Sequence, residues 1–230
     1  MKNPEQQPVI VLGSRSPRRL DLMSSIAGAR SLRVLPPVSE DEPGFDGLDT
    51  CEQIETRLRE IVRLKYEDVC RQLDETAAVT NADNPPSAAN TSPGFVVVCA
   101  DTTVVVTEET TGRRCVLGKP PDDNWTPVVR NWFQRYYLGR THEVWTGVRI
   151  GRPSTNDVEE IVVRTSVRFS RCSEGMLEWY LSTNESTGKA GGYGIQDNAA
   201  VFVEGLDGSL TNVIGLPVLE VADALNRLTA

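Results

Sequence analysis

The pattern of apolar and polar positions along this chain of 230 residues predicts strands mixed with helices. Short apolar runs rich in β-branched residues are typical of buried strands. The predicted extended segments are Val9 to Leu12, Leu32 to Leu35, Phe95 to Cys99 with a continuation over Thr103 to Val106, Val144 to Ile150, Val158 to Phe169 and Ala199 to Glu204. The polar turn from Gly151 to Asn156 predicts that the two segments beside it form an antiparallel hairpin.

Apolar residues spaced three or four positions apart predict amphipathic helices between these strands. The predicted helices are Pro17 to Gly28, Thr50 to Leu73, Asp122 to Leu138, Arg171 to Leu181 and Leu216 to Leu228. The stretch from Asp74 to Gly94 is rich in Ala, Asn, Pro and Thr, so we expect a mobile insertion within a single domain over residues 1–230. The mixture of elements predicts the α/β class, with antiparallel pairs in the sheet.

The turn between the first strand and the first helix has the features of an anion site. Ser16 is a good N-cap and Pro17 suits the first helical position, and the free N–H groups of a helix N-terminus attract anions. Serine and arginine side chains surround this point: Ser14, Arg15, Ser16, Arg18 and Arg19. Phosphate is the simplest ligand for such a corner. The alternative is an ordinary strand–turn–helix in which the basic side chains of the first helical turn are simply solvated. Arginines at a helix N-terminus are, however, unfavourable with respect to the helix dipole.

Composition excludes several classes of function. The chain has 24 Lys and Arg against 32 Asp and Glu, a net charge of −8, which is unfavourable for general nucleic-acid binding. No apolar run is long enough for a transmembrane helix, and the first residues lack the apolar core of a signal peptide. The 5 cysteines form no CxxC pair, which favours reduced thiols. We therefore expect a cytoplasmic protein without nucleic-acid or membrane partners.

The sequence contains 1 histidine, His142, in a turn that enters a predicted strand. A single histidine excludes a histidine-rich metal site, and no G-x-S-x-G motif accompanies it. We expect His142 to be structural or to lie behind the site rather than to act as a catalytic base.

Three further segments carry candidate chemistry. Asp101 follows an apolar strand, where a carboxylate can bind a metal or activate water, or simply cap a turn. Lys119 lies in the Gly-Lys-Pro turn of Val116 to Pro121 and offers a point charge for phosphate, although this turn is not a P-loop. The stretch Gly188 to Gln196 has four glycines and can approach a flat ligand closely, or be a flexible turn.

Taken together, these motifs resemble the Maf, or septum-formation, family of nucleotide pyrophosphatases. The matching motifs occur in the family's order: Ser14-x-Ser16-Pro17-Arg18-Arg19, Ala100-Asp101-Thr102, Leu117-Gly118-Lys119-Pro120, His142 to Val148, Lys189 to Gln196 and Asn212 to Pro217. The resemblance implies cleavage of nucleoside triphosphates between the α- and β-phosphates. It also implies an elongated mixed sheet flanked by helices, with two lobes and a central cleft, like that of inosine-triphosphate pyrophosphatases.

The resemblance also implies roles for individual residues. Asp101 corresponds to the general base, and Asp101 and Glu40 to the ligands of a divalent metal, Mg²⁺ or Mn²⁺. Lys65 and Lys119 correspond to further catalytic residues. The residues that correspond to substrate and phosphate contacts are Ser14, Ser16, Arg18, Arg19, Thr102 and Gln196. Transfer of charged phosphates depends mainly on positioning and charge stabilisation, so the implied mechanism needs no nucleophilic side chain.

Arg18, Thr102 and Gln196 match the branch of the family that prefers dTTP, UTP and modified pyrimidine triphosphates. A second branch, acting on 7-methyl-GTP, has Trp, Gln and Glu at these positions. The implied role is the removal of unwanted nucleotides. One alternative is a non-catalytic nucleotide-binding regulator of cell division. Another is a phosphomonoesterase with Asp101 as nucleophile, although a second carboxylate two residues on is missing. The sequence leaves a homodimer open.

Overall fold

The computed structural model of the chain describes residues 7–39, 42–83 and 94–229. Within these ranges seven strands form one sheet. They are β1 (Val9–Leu12), β2 (Leu32–Val34), β3 (Phe95–Thr107), β4 (Arg114–Leu117), β5 (Thr141–Arg152), β6 (Asp157–Phe169) and β7 (Val203–Asp207). The order across the sheet is β2-β1-β3-β5-β6-β7, and β4 pairs with the second half of β3.

The sheet is mixed. β1 pairs in parallel with β2 and β3, whereas β3, β5, β6 and β7 pair in an antiparallel manner. The predicted hairpin is confirmed, because β5 and β6 pair along their whole length from Thr141↔Arg168 to Arg152↔Asp157. The predicted α/β class is confirmed as well.

Six α-helices flank the sheet in the described part of the chain: α1 (Pro17–Ala27), α2 (Cys51–Asp83), α3 (Trp125–Trp132), α4 (Glu174–Ser182), α5 (Leu210–Ile214) and α6 (Val218–Thr229). A π-helical turn, Phe133–Tyr137, continues α3, and 3-10 turns lie at Ala190–Gly192 and Asn198–Phe202. Within the described ranges we find no helix with the length and apolar character needed to cross a membrane.

The alternation of side chains along β3 explains how two cores and a cleft arise on one face of the sheet. Val96 and Val98 face a core formed with α1 and α6, and Val104 and Val106 face an aromatic core farther along the same strand. Thr102 lies between these two apolar pairs on the same face. The row of valines is therefore interrupted by a polar residue at the point where the cleft opens.

The opposite face of β3 packs against α2. Val97 and Cys99 belong to a cluster with Tyr66 and Val69 of that helix. Asp101 continues this row toward α2. The side chains of Asp101 and Thr102, which are neighbours in β3, therefore lie on opposite faces of the sheet.

The strand predicted over Ala199 to Glu204 is wrong in its first four residues. Residues 198–202 form a 3-10 turn, and β7 begins at Val203. Ala199 and Phe202 are buried while Val201 is exposed, so the buried positions are three residues apart. This spacing suits a 3-10 turn rather than the alternation of a strand.

Other boundaries differ for local reasons. α2 continues to Asp83 instead of ending at Leu73, because residues 74–83 contain neither glycine nor proline. Residues 84–93 of the predicted insertion lie outside the described residues. The final predicted helix, Leu216 to Leu228, corresponds to α6 (Val218–Thr229). The short helix before it, α5, was not predicted, and it ends at Gly215, whose φ is 131°. β4 (Arg114–Leu117) was missed because its last two residues were assigned to the Gly-Lys-Pro turn of Val116 to Pro121.

Candidate active site

A cleft of about 610 Å³ lies between the two cores. It collects every predicted site residue that the structure describes: Ser14, Ser16, Arg18, Arg19, Lys65, Asp101, Thr102, Lys119 and Gln196. Glu40, the predicted second metal ligand, lies outside the described residues. The residues come from separate parts of the chain, and the sheet brings them together.

The turn from β1 to α1 has the predicted capped geometry. Ser16 accepts a hydrogen bond from the backbone N–H of Arg19 at 3.4 Å, and Pro17 opens the helix. Ser14 is buried, and its Oγ accepts from the N–H of Ser16 at 3.1 Å. Gly13 is required here because a Cβ would lie 2.3 Å from Cys99 Sγ. The turn therefore places a helix N-terminus, which favours anions, at one end of the cleft.

Arg19 is held in place by three acceptors. Its Nε donates to the carbonyl of Gly215 at 2.8 Å, and its Nη2 donates to Thr102 Oγ1 at 3.0 Å. Its Nη1 lies 3.5 Å from Ser14 Oγ. Burial lowers the pKa of Arg19, while the nearby carboxylate of Asp101 opposes this effect. An arginine stays charged in proteins, so the result is a fixed cation beside the helix N-terminus.

Lys65, Asp101 and Glu42 form a cluster of charges on the α2 side of the cleft. Lys65 Nζ lies 2.5 Å from Asp101 Oδ1 and 3.0 Å from Glu42 Oε1. Asp101 lies within β3, whereas the sequence suggested that it follows the end of a strand. Glu42 was missed by the sequence reasoning, and its one signal was the acidic loop between Pro36 and Asp49.

The donor set of this cluster fits a hard divalent cation. The described residues contain no group of three or more His, Cys, Asp or Glu side chains that could hold a metal alone. Asp101 and Glu42 supply carboxylate oxygens, and Mg²⁺ is usually held by one or two carboxylates together with substrate phosphates and water. These two side chains could therefore hold such an ion when a phosphorylated ligand completes the site.

Most of the glycine-rich loop, residues 188–196, lines the cleft. Two buried tyrosines fix its backbone: Tyr137 Oη donates to the carbonyl of Gly191 at 2.9 Å, and Tyr180 Oη donates to that of Gly192 at 3.0 Å. Gly191 has a φ of 69°, and a Cβ there would lie 2.5 Å from Val104. The loop is therefore closely packed at Gly191, not a freely flexible turn.

His142 lies beneath this loop and does not line the cleft. Its Nε2 is 2.7 Å from Tyr193 Oη, and burial lowers its pKa to about 3. The imidazole is therefore neutral at physiological pH. This agrees with the prediction that His142 is structural or lies behind the site.

Lys119, Arg18 and Gln196 line the open part of the cleft. Lys119 and Gln196 are exposed and Arg18 is half-buried. The side chains of these three residues make no hydrogen bond or ion pair within the described part of the chain. They are therefore available to a ligand.

The cleft also has an apolar lining, which is formed by Val104, Val144, Tyr193, Ile195, Val213 and Ile214. A ligand with an anionic part and a flat heterocyclic part matches this division. The fold and the site together define a mixed α/β protein whose cleft suits a phosphorylated small molecule with an aromatic ring.

The family model described as Maf-like protein matches residues 9–228, and the chain belongs to this family. The chain is 35% identical over 222 residues to a protein of Anaeromyxobacter dehalogenans named dTTP/UTP pyrophosphatase, covering 96% of this chain and 94% of that protein. Proteins with the same name from Cereibacter sphaeroides and Burkholderia orbicola are 35% and 32% identical. These two alignments cover 94% and 97% of this chain, and 93% and 94% of the relatives.

Proposed function

We propose that this protein is a nucleoside-triphosphate diphosphatase that hydrolyses dTTP, UTP and modified pyrimidine triphosphates to the monophosphate and pyrophosphate. The observation that carries the proposal is the ion-paired carboxylate of Asp101 in the same cleft as Arg19 and Lys119. The names of the relatives from three bacteria support the choice of substrate. The role that follows is removal of unwanted nucleotides from the pool.

The chemistry requires a base, cations and an oriented water. Asp101 accepts a proton from a water molecule, and the water oxygen forms a bond to phosphorus while the bond between the α- and β-phosphates breaks. The second oxygen of Asp101, Oδ2, makes no hydrogen bond within the described residues and is available to that water. Arg19, Lys119 and Ser14 stabilise the phosphate oxygens as charge shifts to the leaving pyrophosphate.

A divalent cation, Mg²⁺ or Mn²⁺, completes the proposed site. Asp101 and Glu42 would hold it, and Glu40 remains a proposed ligand by its motif. When bound, such an ion neutralises part of the triphosphate charge. No zinc is expected, because the described residues offer oxygen ligands here rather than a cluster of His and Cys.

The direct test is ³¹P NMR of the products from a panel of triphosphates with Mg²⁺. The panel contains dTTP, UTP, 5-methyl-UTP, CTP, ATP, GTP and 7-methyl-GTP. We expect pyrophosphate and monophosphate from the first three, with the highest kcat/KM. Binding without turnover would support a nucleotide-binding regulator instead. Release of orthophosphate from the intact triphosphate would support a phosphomonoesterase-type reaction.

A further inference from the structure

Thr146 is completely buried on β5, with 0% exposure, and it does not line the cleft. It lies directly opposite Thr102 of β3 in the sheet register. The two hydroxyl oxygens are 2.9 Å apart. Thr146 cannot touch a ligand, yet it contacts a residue that holds Arg19.

The shortest hydrogen bonds around these two threonines run in one direction. Thr146 Oγ1 donates its single proton to the carbonyl of Asn212 at 3.0 Å, and a carbonyl can only accept. With its proton on that carbonyl, Thr146 accepts from Thr102, whose other acceptor, the carbonyl of Gly215, lies farther away at 3.4 Å. Thr102 in turn accepts from Arg19 Nη2, because a guanidinium can only donate. The result is a one-way series from Arg19 through Thr102 and Thr146 to Asn212.

Asn212 anchors the far end of this series. It is fully buried, and its Nδ2 donates to the carbonyl of Val144 at 3.0 Å and to Thr165 Oγ1 at 2.9 Å. The segment that follows Asn212 supplies the carbonyl of Gly215, which accepts from Arg19 Nε. The hydrogen bonds of both Arg19 Nε and Arg19 Nη2 therefore depend on residues 212–215.

We propose that Thr146 is a positioning residue that sets the orientation of the Arg19 guanidinium through the hydroxyl of Thr102. The role of Arg19 toward phosphate rests on the proposed function. Without the Thr146 hydroxyl, the acceptor left to Thr102 is the carbonyl of Gly215, 3.4 Å away, which also accepts from Arg19 Nε. We expect the Thr102 hydroxyl to turn toward Gly215, so that its oxygen no longer holds Arg19 Nη2 in a defined position.

The first experiment is a double-mutant cycle of Thr146→Val with Arg19→Lys, measured as kcat and KM for dTTP. Valine keeps the shape of threonine and removes the hydroxyl. We expect Thr146→Val to lower kcat/KM about tenfold in the wild-type background, because small misplacement of a positioning group is costly. In the Arg19→Lys background we expect less than a twofold change, because lysine lacks the planar fork that Thr102 orients. Thr146→Ser, which retains the hydroxyl, should have a kcat/KM close to that of the wild type.

Thr103→Val is the matched control. Thr103 is buried on the same strand as Thr102 but faces away from it, and its hydroxyl makes no hydrogen bond within the described residues. This variant should keep wild-type kcat/KM. An equal loss from Thr146→Val in both backgrounds would show a merely structural effect and overturn the proposal, as would no loss at all.

A second measurement does not depend on activity. The Arg19 Nε–H signal in a ¹⁵N–¹H NMR spectrum is identified by its absence in Arg19→Lys. Its hydrogen exchange should become at least several-fold faster in Thr146→Val and remain unchanged in Thr103→Val. Unchanged exchange in both variants would overturn the proposal even if the enzyme is active. Failure of the wild type to hydrolyse any triphosphate would instead reject the proposed function, and the exchange result would still decide the role of Thr146.

Discussion

Lys65 of α2 and Asp101 of β3 form an ion pair, with Nζ 2.5 Å from Oδ1. Their side chains are 13% and 17% exposed, so the pair is largely removed from water. Removing one partner of such a pair destabilises the folded protein, because the other charge is then left buried and unpaired. The contact fixes one oxygen of Asp101 and directs the carboxylate toward the cleft.

This geometry predicts the effect of Asp101→Asn. The amide keeps the size of the side chain but cannot accept a proton from water. We expect kcat to fall by a factor on the order of 10²–10⁴, with dTTP binding retained. Steady-state kinetics and calorimetric titration with dTTP check the two parts. A kcat close to that of wild type would show that Asp101 is not the base.

Lys119→Ala should reduce activity toward all substrates by a similar factor. Lys119 is exposed in the cleft and, in our proposal, contacts phosphate rather than base. The measurement is kcat/KM for dTTP, UTP and CTP. Arg113→Ala is the control, because Arg113 is an exposed cation beside β4 that pairs with Asp49 and does not line the cleft. A loss confined to one base would assign Lys119 to base recognition.

Removal of divalent cations should abolish turnover. The proposed ligands, Asp101 and Glu42, supply oxygen atoms that suit Mg²⁺ and Mn²⁺. After exhaustive EDTA treatment we expect activity to return with either ion. Glu42→Gln should raise the Mg²⁺ concentration needed for half-maximal activity. Full activity in the chelated enzyme would contradict the metal requirement.

Local sequence signals predicted the β1–α1 turn well. Ser16 and Pro17 have strong positional preferences, and their effect depends on a few neighbouring residues. The β5–β6 hairpin was predictable for the same reason. The resemblance to the family grouped the cleft residues, because ordered motifs mark positions that come together in space.

Long-range contacts were not predictable in this way. The pairs Lys65–Asp101 and Thr102–Thr146 are 36 and 44 residues apart. The packing of α2 against β3 brings the first pair together, and the register of β3 with β5 brings the second together. Likewise, a strand was predicted from Ala199 onward, but the packing of Ala199 and Phe202 into the aromatic core favours a 3-10 turn there. Tertiary packing decided the structure there.

His142 predicts a pH dependence of stability. Burial lowers its pKa to about 3 in the folded protein, against 6.5 for the ordinary side chain. The unfolded chain therefore binds a proton first as the pH falls, so the folded state is fully favoured above pH 6.5 and loses stability below it. Between pH 7.5 and 5.5 we expect His142 to lower the free energy of unfolding by about 1.4 kcal/mol.

The variant His142→Gln tests this expectation, since the sequence contains 1 histidine. Urea unfolding of both proteins at pH 7.5 and 5.5 gives two differences in the free energy of unfolding. The difference for the wild type should exceed that for the variant by about 1.4 kcal/mol, whatever the absolute stability of the variant. Equal differences would mean that His142 does not change its protonation on unfolding.

Arg18 and Gln196 should decide base preference, because both line the open end of the cleft and can donate hydrogen bonds to uracil or thymine carbonyls. Thr102, the third position that separates the two branches, instead contacts Arg19, so it is left unchanged. The double variant Arg18→Trp with Gln196→Glu should lower kcat/KM for dTTP and UTP by at least tenfold more than for 7-methyl-GTP, whose cationic purine can stack on tryptophan. Thr102→Gln, by comparison, should weaken hydrolysis of all three nucleotides. An equal loss across the three nucleotides in the double variant would show that Arg18 and Gln196 support the site generally and do not select the base.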